Sequence, residues 1–167
     1  RGGSHPDELI FRAAALGHAA VAVTDRNSLA GVVRAHKAAR EAGIRLIIGA
    51  RLDLEDGASM LVYPTDRAAY GRLTRLITLG RRRTLKGKCR LTRSDILDWG
   101  AGMIFIAVPP PDPEDDFAVQ LCELESTFPG NCFIAAHHLY RGDDSRRLVY
   151  LTCLAGACAT PLVATND

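Results

Sequence analysis

Four charged residues stand close behind short apolar runs of the chain: Asp25, Arg26, Arg51 and Asp167. Carboxylates can bind metal ions or accept protons, whereas the guanidinium of arginine only donates hydrogen bonds and stays charged at neutral pH. In α/β enzymes, catalytic groups often stand at the ends of strands. The residues alone leave open whether Asp25-Arg26-Asn27 is a working site, the remains of one, or a turn that caps the next helix.

Apolar runs that predict strands alternate with amphipathic stretches that predict helices. The pattern predicts helices over 4–16, 28–42, 66–79, 92–99, 117–128 and 143–159, strands over 20–24, 46–48, 103–108, 132–139 and 161–165, and a hairpin of 52–55 with 60–63 around Asp56-Gly57. Crossovers of this length favour an α/β fold with a parallel sheet or barrel, in which the strand 20–24 is buried on both faces.

The carboxyl ends of parallel strands meet at one edge, and that edge carries the functional residues of such folds. The residues expected there are Asp25-Arg26-Asn27, Ala50-Arg51, Pro109-Pro110, His137-His138 and Asn166-Asp167. Neighbours on a strand point to opposite faces, so at most one of His137 and His138 can face a shared site. A structural role is favoured for this pair over metal binding.

The composition indicates one ordinary globular domain over 1–167. Hydrophobic residues make up 47% of the 167 residues, and the formal net charge is only +2, so the chain is not a basic nucleic-acid arm. The stretch 148–166 carries no charge and has the length of a membrane span. Because Gly156 and Pro161 interrupt it, a buried helix followed by a buried strand is the better prediction, and no membrane contact is expected.

Five cysteines occur without a C-x-x-C pair: Cys89, Cys122, Cys132, Cys153 and Cys158. This spacing indicates neither a zinc site nor a disulfide framework and suits a reducing cytoplasm. Cys153 and Cys158 lie on one predicted helix, where core packing is the expected role.

Six cations fall within ten residues, without an acidic or aromatic residue among them: Arg81, Arg82, Arg83, Lys86, Lys88 and Arg90. We call residues 81–90 the basic segment and predict that it is a loop. Three roles stay open, namely a solvated face, contact with DNA phosphates, and docking onto an acidic surface of a neighbouring domain. Because no aromatic side chain is interleaved, stacking on single-stranded bases is not supported.

Several motifs resemble the PHP (polymerase and histidinol phosphatase) domain of bacterial DNA polymerase III α subunits. "AVTDRNSLAGVVRAHKAAREAGIRLIIGARLDLED" resembles the second and third motifs of that domain, and "PLVATND" resembles its closing strand. "RGGSHPDEL", "KGKCRLTRSDIL" and "HLYRGDDSRRL" are typical of the error-prone, damage-inducible branch. The resemblance implies a distorted (βα)7 barrel, here lacking its first strand, with the polymerase palm, thumb and fingers outside this chain.

The resemblance also implies a site. Active PHP domains bind up to three metal ions through His, Asp, Glu and sometimes Cys, and these metals activate water for phosphoester hydrolysis. Asp25 and Asp167 keep the acidic positions of that pattern, whereas Arg26 stands where active members have His and Arg51 where they have Glu. We therefore expect a degenerate cleft without metal or catalytic residues. Our hypothesis is that the two arginines replace the metal charge by pairing with Asp25 and Asp167.

By the same resemblance, the parent protein is an error-prone DNA-directed DNA polymerase of the bacterial cytoplasm that acts in translesion synthesis and DNA repair. The implied partners are DNA, the other polymerase domains, lesion-bypass accessory proteins and the sliding clamp, and Mg²⁺ is implied only for the polymerase domain. The favoured role of this domain is a non-catalytic structural and interaction module. The alternative is an active metal-dependent phosphoesterase, either a 3'-5' proofreading exonuclease or a pyrophosphatase.

Overall fold

The computed structural model describes residues 3–113, 115–138, 140 and 142–165. The strands are β1 Ala20–Arg26, β2 Arg45–Leu52, β3 Met60–Pro64, β4 Met103–Ala107, β5 Cys132–Ala136 and β6 Leu162–Ala164. The helices are α1 Pro6–Ala15, α2 Val32–Ala42, α3 Arg67–Arg82, α4 Arg93–Trp99, α5 Asp115–Thr127 and α6 Asp144–Ala157. The predicted α/β class is confirmed.

The six strands form one sheet in chain order, curled into a half-barrel. Three pairs of neighbouring strands are parallel, namely β1 with β2, β4 with β5, and β5 with β6. Strand β3 is antiparallel to both of its neighbours, β2 and β4. The hairpin predicted around Asp56-Gly57 accounts for this reversal, because β2 and β3 are its two strands. The other five strands run in one direction, so their carboxyl ends lie at the same edge of the sheet.

The largest apolar cluster lies between the middle of the sheet and helices α3 and α4. Its fully buried large side chains are those of Leu52, Met60, Leu73, Leu76, Leu91, Ile96, Met103 and Phe105. Residues of α3 at helical spacing supply one wall and alternate residues of β4 the other, as the two periodicities require. This cluster fixes α3 against the sheet, and α3 in turn carries the start of the basic segment.

Strand β1 differs from its prediction. Only Val23 is buried along it, because β1 lies at an edge of the sheet and pairs only with β2 among the described residues. Its inner face packs in a cluster with Ile10 of α1 and the small side chains Ala35 and Ala38 of α2. A short apolar run is compatible with either an edge or a central strand, so the neighbours of β1 decide its burial.

The predicted starts of two helices are confirmed by their capping hydrogen bonds. Asp66 accepts a bond from Ala69 N at 2.7 Å at the start of α3, and Thr92 and Asp95 form a reciprocal capping box at the start of α4. Helix α3 continues to Arg82, so the basic segment is not wholly a loop. Arg81 and Arg82 stand in the last helical turn, where they interact favourably with the helix dipole.

The cysteine prediction was wrong in one respect. Cys122 of α5 and Cys158, which directly follows α6, form a disulfide with Cα atoms 5.1 Å apart. The packing of α5 on α6 brings these distant residues together, and spacing along the chain carries no sign of it. Cys158 is buried as predicted, whereas Cys153 is exposed.

The described part of the uncharged stretch, 148–165, is divided between α6 and β6, as predicted. The predicted burial of the strand was wrong, because two residues of β6 are only partly buried and the third is exposed. Among the described residues, no helix combines the length and apolar character needed to cross a membrane.

Candidate functional site

Asp25 lies near the carboxyl end of β1 and is bonded to the start of the next helix. Its Oδ2 accepts a hydrogen bond from Gly31 N, the N-cap of α2, at 2.7 Å. The approach is close, because a Cβ built on Gly31 would stand 2.8 Å from the same oxygen. Asp25 therefore caps α2, which is one of the roles that the sequence left open.

Arg26 and Arg51 are brought together by Asp53, the residue after β2. Arg26 Nε donates to Asp53 Oδ2, and Arg51 Nε donates to Asp53 Oδ1 at 3.2 Å. Ser59 Oγ also donates to Oδ1, at 2.6 Å. One carboxylate thus accepts from two guanidinium groups and a hydroxyl, and we call Arg26, Arg51, Asp53 and Ser59 the Asp53 network.

This network corrects one half of our pairing hypothesis, the pairing of the arginines with Asp25, whereas the half that names Asp167 stays a prediction. Between described residues, no ion pair joins Asp25 to either arginine, and both arginines pair with Asp53 instead. Asp167 lies outside the described residues. The sequence pattern places Asp53 only in a hairpin, although the spacing of Arg51 and Asp53 indicates that the two side chains can pair. Arg51 and Asp53 are two residues apart on an extended segment, so their side chains lie on one face.

The pKa of Asp53 is lower than that of an ordinary aspartate. Burial alone would raise this pKa, but the hydrogen bonds from Ser59, Arg26 and Arg51 outweigh it. The carboxylate is therefore ionised at neutral pH. The side chains of Asp53 and Arg51 are about four-fifths buried, whereas that of Arg26 is 75% exposed, so Arg51 is the better shielded of the two cations.

Asn27 joins the ends of β1 and β2 to the surrounding loops. Its amide nitrogen donates to Arg51 O at 2.7 Å, and its side-chain oxygen accepts from Asp53 N at 3.0 Å. Its φ of 48° lies in the left-handed region, which asparagine tolerates better than most residues. Arg81 Nη2 donates to Asn27 O at 3.0 Å, so the same residue also contacts the end of α3.

The donor set at this edge does not fit a metal centre. Asp53 is occupied by arginines, the Asp25 carboxylate accepts from a helix N-terminus, and arginine offers no lone pair to a metal. Met60, near the position where active PHP domains have a His, is buried in the core. Within the described ranges there is no group of three or more His, Cys, Asp or Glu side chains that could hold a metal ion.

The other end of the same edge carries His137, His138 and Arg147. His137 is buried, whereas His138 is exposed and lies 3.7 Å from Asp144 Oδ2, so the two histidines face different surroundings. Arg147 of α6 is buried and donates to the backbone carbonyls of His137, Pro109 and Pro110 at 3.3–3.4 Å. This arginine thus joins the loops after β4 and β5, a role that the sequence did not indicate.

Three cations of the basic segment are held by contacts within the chain. Arg83 forms a two-pronged ion pair with Asp95 of α4, Arg90 Nε donates to Glu55 Oε2 at 2.5 Å, and Arg81 contacts the Asn27 carbonyl. Hydrogen bonds from Arg83 and Thr92 hold the pKa of Asp95 below its usual range. Lys86 and Lys88 are exposed and have no ion pair with a described residue.

The Asp53 network and the basic segment face each other across a cleft of about 880 Å³. One wall consists of Arg26 at the end of β1, Asn27 and residues 53–55, and the other consists of residues 84–90 with Arg81. We call it the basic cleft. Two features that stand far apart in the sequence are thus parts of one surface. Arg82 and Arg83 do not line it, so the basic segment is divided between the cleft and the outer surface.

The chain matches a known family and known proteins. The PHP domain family matches residues 1–118. The error-prone DNA polymerase of Caulobacter vibrioides is 48% identical over 168 residues, covering 100% of this chain and 16% of that polymerase. Error-prone DNA polymerase 1 of Agrobacterium fabrum is 46% identical, covering 100% of this chain and 15% of its own length. The chain therefore spans about one sixth of the length of these relatives.

Two solved structures share the fold at low sequence identity. A proposed metal-dependent phosphoesterase from Bifidobacterium adolescentis aligns with a TM-score of 0.71 at 15% identity, over 99% of this chain and 82% of its own. An amidohydrolase from Chromobacterium violaceum, with bound sulfate and no metal, aligns with a TM-score of 0.67 at 18% identity and the same coverage. At these identities the likeness establishes the PHP-type fold predicted from the sequence, and nothing about activity.

Proposed function

The chain belongs to the PHP domain family, and we propose that it is a non-catalytic structural and interaction domain of an error-prone DNA polymerase. The polymerase relatives, 46–48% identical across the whole chain, support the parent assignment. Because the chain spans only about one sixth of those relatives, polymerisation itself would belong to segments outside it.

The observation that carries the non-catalytic role is the Asp53 network. Arg26 and Arg51 occupy two positions where the family resemblance places metal ligands, and each donates to the carboxylate of Asp53. Fixed positive charge beside a carboxylate repels a cation and occupies the oxygens that would bind it. The network joins the ends of β1 and β2 to the hairpin loop between β2 and β3. The former metal site thus serves to hold these strand ends together.

The first test is metal analysis of the intact polymerase after dialysis. We expect no zinc or manganese in stoichiometric amount beyond what the polymerase centre holds, and no difference between the natural protein and the Asp25→Ala variant. Hydrolysis of a simple phosphoester should likewise be independent of added manganese. Tightly bound metal, together with manganese-dependent hydrolysis that Asp25→Ala abolishes, would establish the phosphoesterase alternative instead.

The second test concerns the structural role. In the intact polymerase, Asp53→Ala should lower the temperature at which DNA synthesis is irreversibly lost, while the rate of synthesis at low temperature stays unchanged. Glu41→Ala on the exposed surface of α2 is the matched control, because it also removes one carboxylate. A lowered synthesis rate at every temperature, with no change in heat inactivation, would contradict a structural role.

The remaining parts of the proposal follow from the parent assignment. Synthesis past damaged bases would place the protein with DNA in the bacterial cytoplasm, and Mg²⁺ would serve the polymerase domain. The other polymerase domains, lesion-bypass accessory proteins and a sliding clamp would be its partners. The exposed Arg82 and the outer side of the basic segment are available for a neighbouring domain or for DNA. Synthesis on a template with a defined lesion tests this assignment.

A further inference from the structure

The basic cleft carries an excess of positive charge that contacts among the described residues do not neutralise. Five cations line it, Arg26, Arg81, Lys86, Lys88 and Arg90, against two carboxylates, Asp53 and Glu55. Both carboxylates are already in ion pairs, Asp53 with Arg26 and Arg51 and Glu55 with Arg90. The cleft therefore keeps a net excess of three positive charges.

Three of the cations are available to a ligand. Lys86 and Lys88 are exposed and have no ion pair with any described residue, and the described hydrogen bond of Arg81 goes to a neutral carbonyl. These groups have only donors, so the partner that satisfies them is an anion with several acceptor oxygens. Gly87, between the two lysines, has a φ of +90° and open space around it, so a ligand can approach the backbone there.

The lining favours phosphate over an acidic protein segment. Protein interfaces are enriched in aromatic anchors and depleted in lysine at their centres. None of the described residues that line the cleft is aromatic, and two of its three available cations are lysines. The absence of stacking platforms also means that a nucleic acid would be held by its backbone rather than by its bases.

We propose that the basic cleft binds a phosphate-bearing ligand through Arg81, Lys86 and Lys88. Its volume of about 880 Å³ lies in the range of small-ligand sites. The phosphates come from a free polyphosphate or from the backbone of single-stranded nucleic acid. This binding needs no metal and does not depend on the proposed polymerase role.

Cys89 provides a local measure of occupancy in the intact protein. Cys89 lines the cleft and is partly exposed, and burial raises the pKa of its thiol. A bound ligand should shield it from iodoacetamide, which reacts with the thiolate, so the reaction is run at an alkaline pH of about 9. Cys153, exposed on α6 and away from the cleft, is an internal reference for general changes in reactivity.

The experiment measures alkylation of Cys89 and Cys153 in the full-length protein by peptide mass spectrometry. The probes are inorganic tripolyphosphate and a short oligothymidylate, each added over a range of concentrations. At about ten times the dissociation constant, we expect Cys89 to react about tenfold more slowly and Cys153 at an unchanged rate. Protection by tripolyphosphate alone would identify a free polyphosphate as the ligand, whereas protection by the oligonucleotide alone would identify a nucleic-acid backbone.

The variant Lys86→Gln with Lys88→Gln should lose the protection, because it removes the two exposed cations. Lys37→Gln with Arg40→Gln on α2 is the matched control, since it removes the same charge outside the cleft and should keep the protection. Comparing rates with and without probe within each variant cancels any change in the thiol pKa. The proposal is overturned if neither probe protects Cys89, or if protection survives in the double lysine variant.

Discussion

The basic cleft and the α5–α6 layer are stabilised by different kinds of contact. Around the cleft, one carboxylate with a lowered pKa accepts from Arg26, Arg51 and Ser59. The α5–α6 layer is held by an apolar cluster, with Leu121, Ile134 and Leu151 among its fully buried members, and by the Cys122–Cys158 disulfide. Ionic contacts orient side chains but depend on pH and salt, whereas apolar burial and a disulfide do not require a particular charge state.

The difference shows how one domain can hold a polar network at its sheet edge without losing its fold. Removing a shared carboxylate from water costs free energy that its hydrogen bonds must offset, so the net stability that such a network contributes is small. The apolar clusters and the disulfide stabilise the rest of the fold. The two regions meet at Gln120 of α5, which accepts from Ala58 N at 2.8 Å and so fixes the loop that carries Asp53 and Ser59.

Breaking the disulfide should have the largest effect. Replacing Cys122 and Cys158 by serine frees a link across 36 positions of the chain, so the local opening free energy of α5 and α6 should fall by about 2–4 kcal/mol. Hydrogen exchange of the α5 and α6 amides in the intact protein measures this. Cys153→Ser on the same helix is the control and should leave exchange unchanged. Equal loss of protection at the cleft would mean that the two regions do not differ in how they are stabilised.

Removing the shared carboxylate should have the next largest effect. Asp53→Ala leaves Arg26, Arg51 and Ser59 without their acceptor, and we expect a loss of about 2–3 kcal/mol in the opening free energy of residues 50–60. High salt should weaken the difference, because the Arg26 pair is largely exposed. Amide exchange of that segment is the measurement. Glu41→Ala should change the opening free energy of residues 50–60 by less than about 0.5 kcal/mol. A loss equal to that of Asp53→Ala would refute the stabilising role assigned to the Asp53 carboxylate.

A methyl group at Gly31 should test the Asp25 contact. The added Cβ would lie 2.8 Å from Asp25 Oδ2 and 3.0 Å from Pro6 Cγ, so Gly31→Ala should cost about 1–2 kcal/mol at the start of α2. Gly71→Ala on α3 is the matched control, because nothing lies within 4 Å of its Cβ, and it should stabilise α3 by up to about 1 kcal/mol. Exchange of the first-turn amides of α2 and α3 distinguishes the two. Destabilisation by both variants would show that the loss comes from placing alanine in a helix and not from the contact with Asp25.

Acid should weaken the cleft before it weakens the α5–α6 layer. The folded pKa values of Asp53 and Asp95 are lowered, while an unfolded aspartate titrates near about 3.9. Their contribution is therefore complete above about pH 4 and is lost as pH falls through the lower folded values, by about 1 kcal/mol or less for each unit of pH. This loss of stability is measured by amide hydrogen exchange at residues 50–60 and 83–95 below about pH 4. Asp53→Asn should flatten the dependence at the first segment only, and an unchanged slope at that segment would contradict a stabilising role for the ionised Asp53 carboxylate.

Local chemistry made the starts of α3 and α4 and the order of elements predictable from the sequence. Asp66 and Thr92 each cap a helix through a backbone amide three residues ahead, and such bonds depend on nothing farther along the chain. The start of α2 was placed at Ser28 but lies at Val32, because the acceptor for its N-cap amide is Asp25 on the preceding strand. A cap supplied from outside the helix cannot be found by looking for a capping residue beside it.

The contacts between elements were the part that the sequence did not determine. The importance of Asp25-Arg26 and Arg51 follows from their place behind apolar runs, but the choice of Asp53 as their partner depends on how the hairpin bends back. The disulfide likewise depends on α5 lying beside α6. The edge position of β1 depends on which strands pair with it. All three contacts depend on tertiary packing, which cannot be inferred from residue type and spacing alone.

The sheet has its strands in the same order as the chain, from β1 to β6. Each strand therefore pairs with the strand made just before it, and no pairing has to wait for a distant later segment. Such nearby partners keep the loop-closure entropy of each pairing low, which favours fast folding. On a ribosome that synthesises about 5–20 residues per second, the sheet can grow one strand at a time as the chain emerges.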